Sequence, residues 1–113
     1  MFGKMNLTQK SYENTSPIAK PGDFYLKEAG AKIPAKSICG IKYDDGKIYP
    51  YNSEASDGTE IPRYFSEEEV LINTKSSFMR NGSLWEDRIE ITAKAKEQLI
   101  DIGFKFIKPN KQY

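Results

Sequence analysis

The residues best suited to proton chemistry are three consecutive carboxylates, Glu67, Glu68 and Glu69. Adjacent carboxylates work as an acid and a base when their surroundings push their pKa values apart. Runs of like charge are more often solvated, and acids set just before an apolar stretch, here Val70-Leu71-Ile72, act as gatekeepers against aggregation. The solvated role is the expected one. Asp44, Asp45 and Asp57 supply the oxygen ligands that calcium favours, yet the alternating acids, central glycine and closing glutamate of a calcium loop are missing around them. Asp45-Gly46 and Asp57-Gly58 read instead as turns, because the aspartate bonds nearby backbone and the glycine accepts positive φ. Cys39 is the single cysteine and has no histidine to activate it, so it reads as a small buried hydrophobe. Ser76, Ser77 and Ser83 equally have no base. Gly30, Gly40 and Gly46 are too scattered to cradle a phosphate and open no helix.

The composition narrows the chemistry further. The 113 residues contain no His and one Cys. This excludes an imidazole base, a Ser-His-Asp device, His ligation of zinc, an internal disulfide and a Cys-rich metal site. Seventeen Lys+Arg stand against sixteen Asp+Glu, a formal charge of +1, so bulk charge calls for neither nucleic acid nor an anionic membrane. Tyr43, Tyr49, Tyr51 and Tyr64 offer faces for base stacking, but Asp44, Asp45, Glu54 and Asp57 are interleaved with them. Cross-strand packing is their expected use. No cofactor, metal, nucleic acid or membrane is expected as a partner. The hydrophobic share of 38% predicts a thin core, which oligomerisation would supplement. No apolar run approaches the ~20 residues of a membrane span. Residues 1–10 lack the apolar centre of a signal peptide, so an intracellular product is expected.

The elements that would position these residues follow from the patterning. Residues 1–22 read as a polar, mildly basic arm ending at Pro17 and Pro21, and residues 23–113 as one domain. Asp23 to Leu26 predicts a short entering strand, and Glu28 to Ala31 a turn. Ser37 to Tyr43, Asp44-Asp45-Gly46 and Lys47 to Tyr51 form a hairpin signal. Asn52 to Gly58 is a polar loop, and Pro62 makes Glu60 to Phe65 irregular. Val70-Leu71-Ile72 is β-like, Asn73 to Ser77 turn-like, and Phe78-Met79 begins a short strand that Arg80 to Ser83 closes. Ile91, Ala95, Leu99 and Ile102 share one helical face, with Thr92 as N-cap and Gly103 just past the end. Phe104 to Ile107 is a final strand before Pro109. The fold class is mostly β (α+β) with one short C-terminal helix.

Several stretches, in this order, resemble the lambda-like head decoration proteins of tailed phages. They are Gly46-Lys47-Ile48-Tyr49-Pro50-Tyr51, the turn Ser56-Asp57-Gly58-Thr59, Val70 to Phe78 with its Lys75-Ser76-Ser77 turn, Leu84-Trp85, and the helix-Gly-strand ending Leu99 to Ile107. The similarity spans about Ala31 to Ile107. Pro62, the glutamate triple and the missing turn glycine at Ser76-Ser77 depart from the family pattern. The resemblance implies a small β-tulip or barrel-like domain with a flexible N-terminal arm, and no enzymatic activity. It implies a homotrimer seated at three-fold positions on the outside of the expanded capsid, made in the host cytoplasm and ending in the virion. Its partner would be the major capsid protein, clamped through the arm. Ser16, Pro17, Ile18 and Ala19 are then the expected capsid contacts, and Phe78 and Trp85 the expected trimer-interface or core residues.

Two other readings compete. Glu67 to Glu69 before an apolar run also looks like the acidic motif of ADP-ribosyltransferases, which suggests a toxin fragment. That motif needs an upstream arginine strand, and Arg63, Arg80 and Arg88 do not supply one. A small host-takeover inhibitor is the remaining alternative.

Overall fold

The computed structural model describes residues 16–108. The chain is mostly β with one short helix. Its strands are β1 (Ile18–Pro21), β2 (Phe24–Glu28), β3 (Ser37–Ile41), β4 (Ile48–Pro50), β5 (Tyr64–Ser66), β6 (Lys75–Met79), β7 (Gly82–Trp85) and β8 (Phe104–Ile107). The helix α1 (Ala93–Asp101) and a single 3₁₀ turn, Glu86–Arg88, lie between β7 and β8.

The hairpin forms as the Asp-Gly turn predicts. Gly46 sits at φ +68°, its N–H donates to the Lys42 carbonyl at 2.9 Å, and β3 pairs antiparallel with β4. A second feature is a long bent ribbon. β1 and β2 run antiparallel to β7 and β6, pairing Ile18 with Leu84 at one end and Glu28 with Lys75 at the other. At the bend Asn81 Oδ1 accepts from Asp23 N–H at 2.9 Å, and Asn81 Nδ2 donates to Asp23 Oδ2 at 3.1 Å. The ribbon therefore belongs to two sheets, β1-β7-β8 and β2-β6-β5-β3-β4.

The five-stranded sheet curls towards closure. Ala29, just past β2, bridges to Ile48 on β4, and Gly30 N–H donates to the Ile48 carbonyl at 2.8 Å. Inside this barrel-like wrap lie Ala29, Ile33, Cys39, Ile48, Tyr64, Val70 and Phe78. Tyr64 and Phe78 meet edge to face with ring centroids 6.3 Å apart. A second core, Ile38, Phe65, Met79, Leu84, Leu99 and Phe104, joins residues of β3, β5 and β6 to β7, β8 and α1. Neighbours on one strand, such as Ile38 and Cys39 or Phe78 and Met79, thus serve different cores, as side chains that alternate across a strand must. Two thin cores share the few apolar residues available.

Helix α1 is the crossover that a parallel pair requires, since β7 and β8 are parallel. Thr92 caps it, its hydroxyl accepting from Ala95 N–H at 3.2 Å, and Ala95 and Leu99 are its buried face.

Several sequence expectations are corrected. The boundary between an arm at 1–22 and a domain at 23 does not fall there, because Ile18–Pro21 is a sheet strand of the domain. Residues 1–15 of the expected arm lie outside the described residues. Val70-Leu71-Ile72 is no strand: Val70 makes one bridge, to Ile33, while Leu71 and Ile72 point outward. Lys75 to Ser77, expected as a turn, begins β6, because pairing with Leu26 to Glu28 outweighs its polar composition. Ser83 continues β7 instead of closing a strand.

Candidate docking edge and acidic crevice

The most unusual surface is the outer edge of the bent ribbon. β1 and β2 each stand at an end of their sheet order, so one side of each carries no ladder partner among the described residues. On β2, Phe24, Tyr25 and Leu26 are 47, 46 and 67% exposed. Folded proteins normally blunt such an edge with lysine, proline or a bulge, and residues 24–26 have none of these. An apolar edge of this kind is a template for another strand.

A crevice of about 410 Å³ includes Phe24 of this strand and is otherwise lined by Ile18, Glu67, Glu68, Ser76 and Ser77, the two serines belonging to β6 on the paired side of β2. The chain enters the described structure at its rim. The Ser16 hydroxyl donates to Glu67 Oε2 at 2.9 Å and accepts from Ile18 N–H at 3.1 Å, while the Ser16 carbonyl accepts from Arg88 Nη1 at 2.9 Å. Glu67 Oε1 is buried without a hydrogen-bond partner among the described residues. Glu69 faces away to an exposed ion pair with Lys32 at 3.2 Å. The triple is therefore split into one tethered carboxylate, one on the crevice wall and one in a surface pair. Among the described residues no arginine lines the crevice.

The expected capsid contacts occupy less accessible places than the sequence suggests. Pro17 is buried and its carbonyl accepts from Trp85 N–H at 2.7 Å. Ile18 pairs with Leu84 and packs on the second core. Ala19 is half-buried within β1. Ser16 is held by Glu67 and Arg88. The side chains of 16–19 are thus engaged by their own domain, and what they leave open is the outer backbone edge. Phe78 is fully buried in the barrel and is a core residue. Trp85 is half-buried on β7, with the Arg88 guanidinium 5.5 Å from its ring centre.

Phe24, Tyr25 and Leu26 are the residues that sequence reasoning missed as a site. Their signal is the unbroken apolar triplet, which reads as an inward-facing strand until the partners are known.

The remaining candidates resolve into structure. Burial pushes the Cys39 thiol up to about 12, which keeps it protonated and inert. Among the described residues no group of three His, Cys, Asp or Glu is placed to hold a metal. Asp45 accepts from the Tyr49 hydroxyl at 2.6 Å and from Lys47 N–H at 2.9 Å, and these bonds hold its carboxyl below the ordinary value. Asp57 is lowered likewise, first by the Thr59 hydroxyl at 2.7 Å and then by Thr59 N–H at 3.1 Å.

A carboxyl whose folded pKa is depressed adds stability above its unfolded value and loses it as pH falls through the folded one. The turns around Asp45 and Asp57 should therefore persist through the ordinary aspartate range near 3.8 and loosen only below it. Carboxyl carbon shifts followed by NMR from pH 6 downward, on the order of one reading per half unit, check this. Midpoints at or above 3.8 for both residues would contradict the hydrogen-bond assignment.

Compared with known proteins, the chain matches no family model and no curated sequence. Among the described residues no helix is long and apolar enough to cross a membrane.

Proposed function

We propose that this protein is a phage capsid decoration protein, a homotrimer on the outer surface of the expanded shell that clamps neighbouring major capsid proteins. The open apolar edge of β2 carries the reading. Phe24, Tyr25 and Leu26 are exposed on a strand that has one free backbone side, which suits strand addition to another protein. The lambda-like order of the turn, Leu-Trp and helix-Gly-strand stretches adds to it. A second exposed apolar pair, Leu71 and Ile72 at 57 and 55%, gives the trimer a separate contact, so that copy-to-copy and copy-to-shell surfaces do not compete. Binding, not catalysis, is the proposed mechanism. Three edges on one trimer multiply a modest affinity per site, because the second and third contacts are intramolecular.

Replacing both Phe24 and Leu26 by lysine tests the role of the edge. Both side chains are exposed, so the domain should keep its melting behaviour. Loss of two central apolar anchors should weaken co-sedimentation with expanded shells by about 100-fold or more. Undiminished binding by the folded double variant would remove β2 from the contact. The transferase reading gains nothing from the geometry, since Glu67 is tethered to Ser16 and, among the described residues, no arginine lines the crevice.

A further inference from the structure

The bend of the ribbon carries the only Asn-Gly pair in the sequence, Asn81-Gly82. We propose that Asn81 is a spontaneous modification site, losing its carboxamide nitrogen to ring closure by the Gly82 nitrogen, and that the clasp with Asp23 holds this reaction back while the bend is intact. The inference stands apart from the decoration reading.

The Gly82 backbone nitrogen attacks Asn81 Cγ and forms a C–N bond. The bond from Cγ to Nδ2 breaks, and Nδ2 leaves as ammonia, taking up the proton that the Gly82 nitrogen gives up. Water then opens the succinimide ring. Opening at the Cγ carbonyl leaves an ordinary aspartate. Opening at the main-chain carbonyl leaves an isoaspartyl linkage, in which the backbone runs through the former side chain. Either product carries a new carboxylate.

Three observations meet at this pair. The first is that the fold demands the glycine. Gly82 sits at φ +133°, and a Cβ there would lie 2.8 Å from Gly22 N and 2.9 Å from the Lys20 carbonyl oxygen. The bend therefore requires the one residue type that has no side chain to shield its nitrogen from Asn81. The second is that the carboxamide is pinned at both ends. Oδ1 accepts from Asp23 N–H at 2.9 Å, and Nδ2 donates to Asp23 Oδ2 at 3.1 Å. A carboxamide so held cannot rotate freely to bring Cγ onto the Gly82 nitrogen. The third is close packing. A Cβ built on Gly22 would lie 2.1 Å from Asn81 Oδ1, and one on Gly103 would lie 3.2 Å from Asn81 Cβ. The Asn81 side chain thus rests against backbone on two sides and gains freedom only when the bend opens.

Conversion has a structural consequence. It removes the Nδ2 donor and sets a carboxylate against Asp23, where like charges repel. The isoaspartyl form also lengthens the main chain beside Gly82, which is paired with Pro21. The bend belongs to both sheets, so its loosening reaches β1 and β2 together.

The test follows every asparagine of the full chain by peptide mass mapping during incubation at neutral pH. Electron-transfer fragmentation separates aspartate from isoaspartate. In guanidinium, where the clasp is gone, Asn81 should convert ahead of the other asparagines. In the folded protein its conversion should be slower by about tenfold or more, because reaction waits on local opening. Asp23→Ala removes the acceptor of Asn81 Nδ2 and should raise the folded rate by about tenfold. An Asn81 that stays intact in the unfolded chain would overturn the site. Equal rates in folded and unfolded protein would overturn the gating, as would an unchanged folded rate in Asp23→Ala. The folded-to-unfolded comparison needs no variant, so it decides the gating even where Asp23→Ala does not fold. Asn81→Asp supplies the charge of the product. Its amide exchange across residues 18–28 should be about tenfold faster than in the natural protein, with β3 and β4 unchanged. Equal exchange in the two proteins would contradict the loosening of the ribbon.

Discussion

Replacing Phe78 by alanine should destabilise the domain by about 3–5 kcal/mol, a large part of the ~5–15 kcal/mol that holds a domain of this size together. Its ring is fully buried at the centre of the barrel among Ala29, Ile33, Cys39 and Ile48, and meets Tyr64 edge to face. Removing it leaves a cavity that the paired strands around it can close only in part, since Phe78 stands opposite Tyr25 in a fixed register. Urea unfolding followed by tyrosine and tryptophan fluorescence measures the loss as a lowered midpoint with unchanged slope. A loss below about 1.5 kcal/mol would mean that the barrel core is not where Phe78 acts. Trp85→Ala provides the contrast. That side chain is only half-buried, so the variant should lose less than Phe78→Ala.

Gly58→Ala should have the next largest effect. Gly58 sits at φ +110°, and a Cβ there would lie 2.3 Å from the Ile41 carbonyl oxygen and 3.0 Å from the Tyr43 ring. The carbonyl is backbone and has little freedom to swing away, because Ile41 is held in register opposite Ile48 on β4. The turn is also fastened around this glycine: its N–H donates to Glu60 Oε1 at 2.8 Å, and Tyr43 N–H donates to the Asp57 carbonyl at 2.8 Å. Strain and clash together should cost about 2–4 kcal/mol. Gly46 is the matched control. It too has positive φ, at +68°, but no atom lies within 4 Å of a built Cβ, so Gly46→Ala should cost only about 1 kcal/mol. Equal losses at the two positions would show that backbone conformation alone, without the close approach to Ile41, determines both.

The contrast between these glycines marks how far sequence alone reaches here. Asp45-Gly46 and Asp57-Gly58 look alike as dipeptides, and both were legible as turns from local chemistry. Only the structure shows that the second is wedged against a neighbouring strand. Helix α1 was legible for a similar reason: Thr92, the Ala95 and Leu99 face and Gly103 are local signals. The β6 strand was not, because Lys75, Ser76 and Ser77 have weak strand preference and are held by the distant partners Glu28, Lys27 and Leu26. Val70-Leu71-Ile72 misled in the opposite direction. An apolar run suggests a buried strand, yet Leu71 and Ile72 occupy an exposed tip.

The candidate site shows the same division. Ser16 to Ala19 were marked from their place at the end of a polar segment, but β1 pairing with β7 draws them into the domain. The apolar triplet of β2 was visible as a strand. That it lies at an edge depends on the sheet order, which no local pattern encodes. The carboxylates of Glu67 to Glu69 were legible as a charge run, while their separation into a tether, a crevice wall and a surface ion pair depends on where Ser16, Ser77 and Lys32 arrive in space.

The central claim is that this domain seats on a shell as a structural partner, and shell occupancy tests it most directly. Purified protein is added in excess to unexpanded and to expanded empty capsids, and the mass gained per particle is measured after free protein is removed. Decoration predicts saturable binding to expanded particles in multiples of three copies, with little gain on unexpanded ones. No saturable gain on the expanded particles would contradict it.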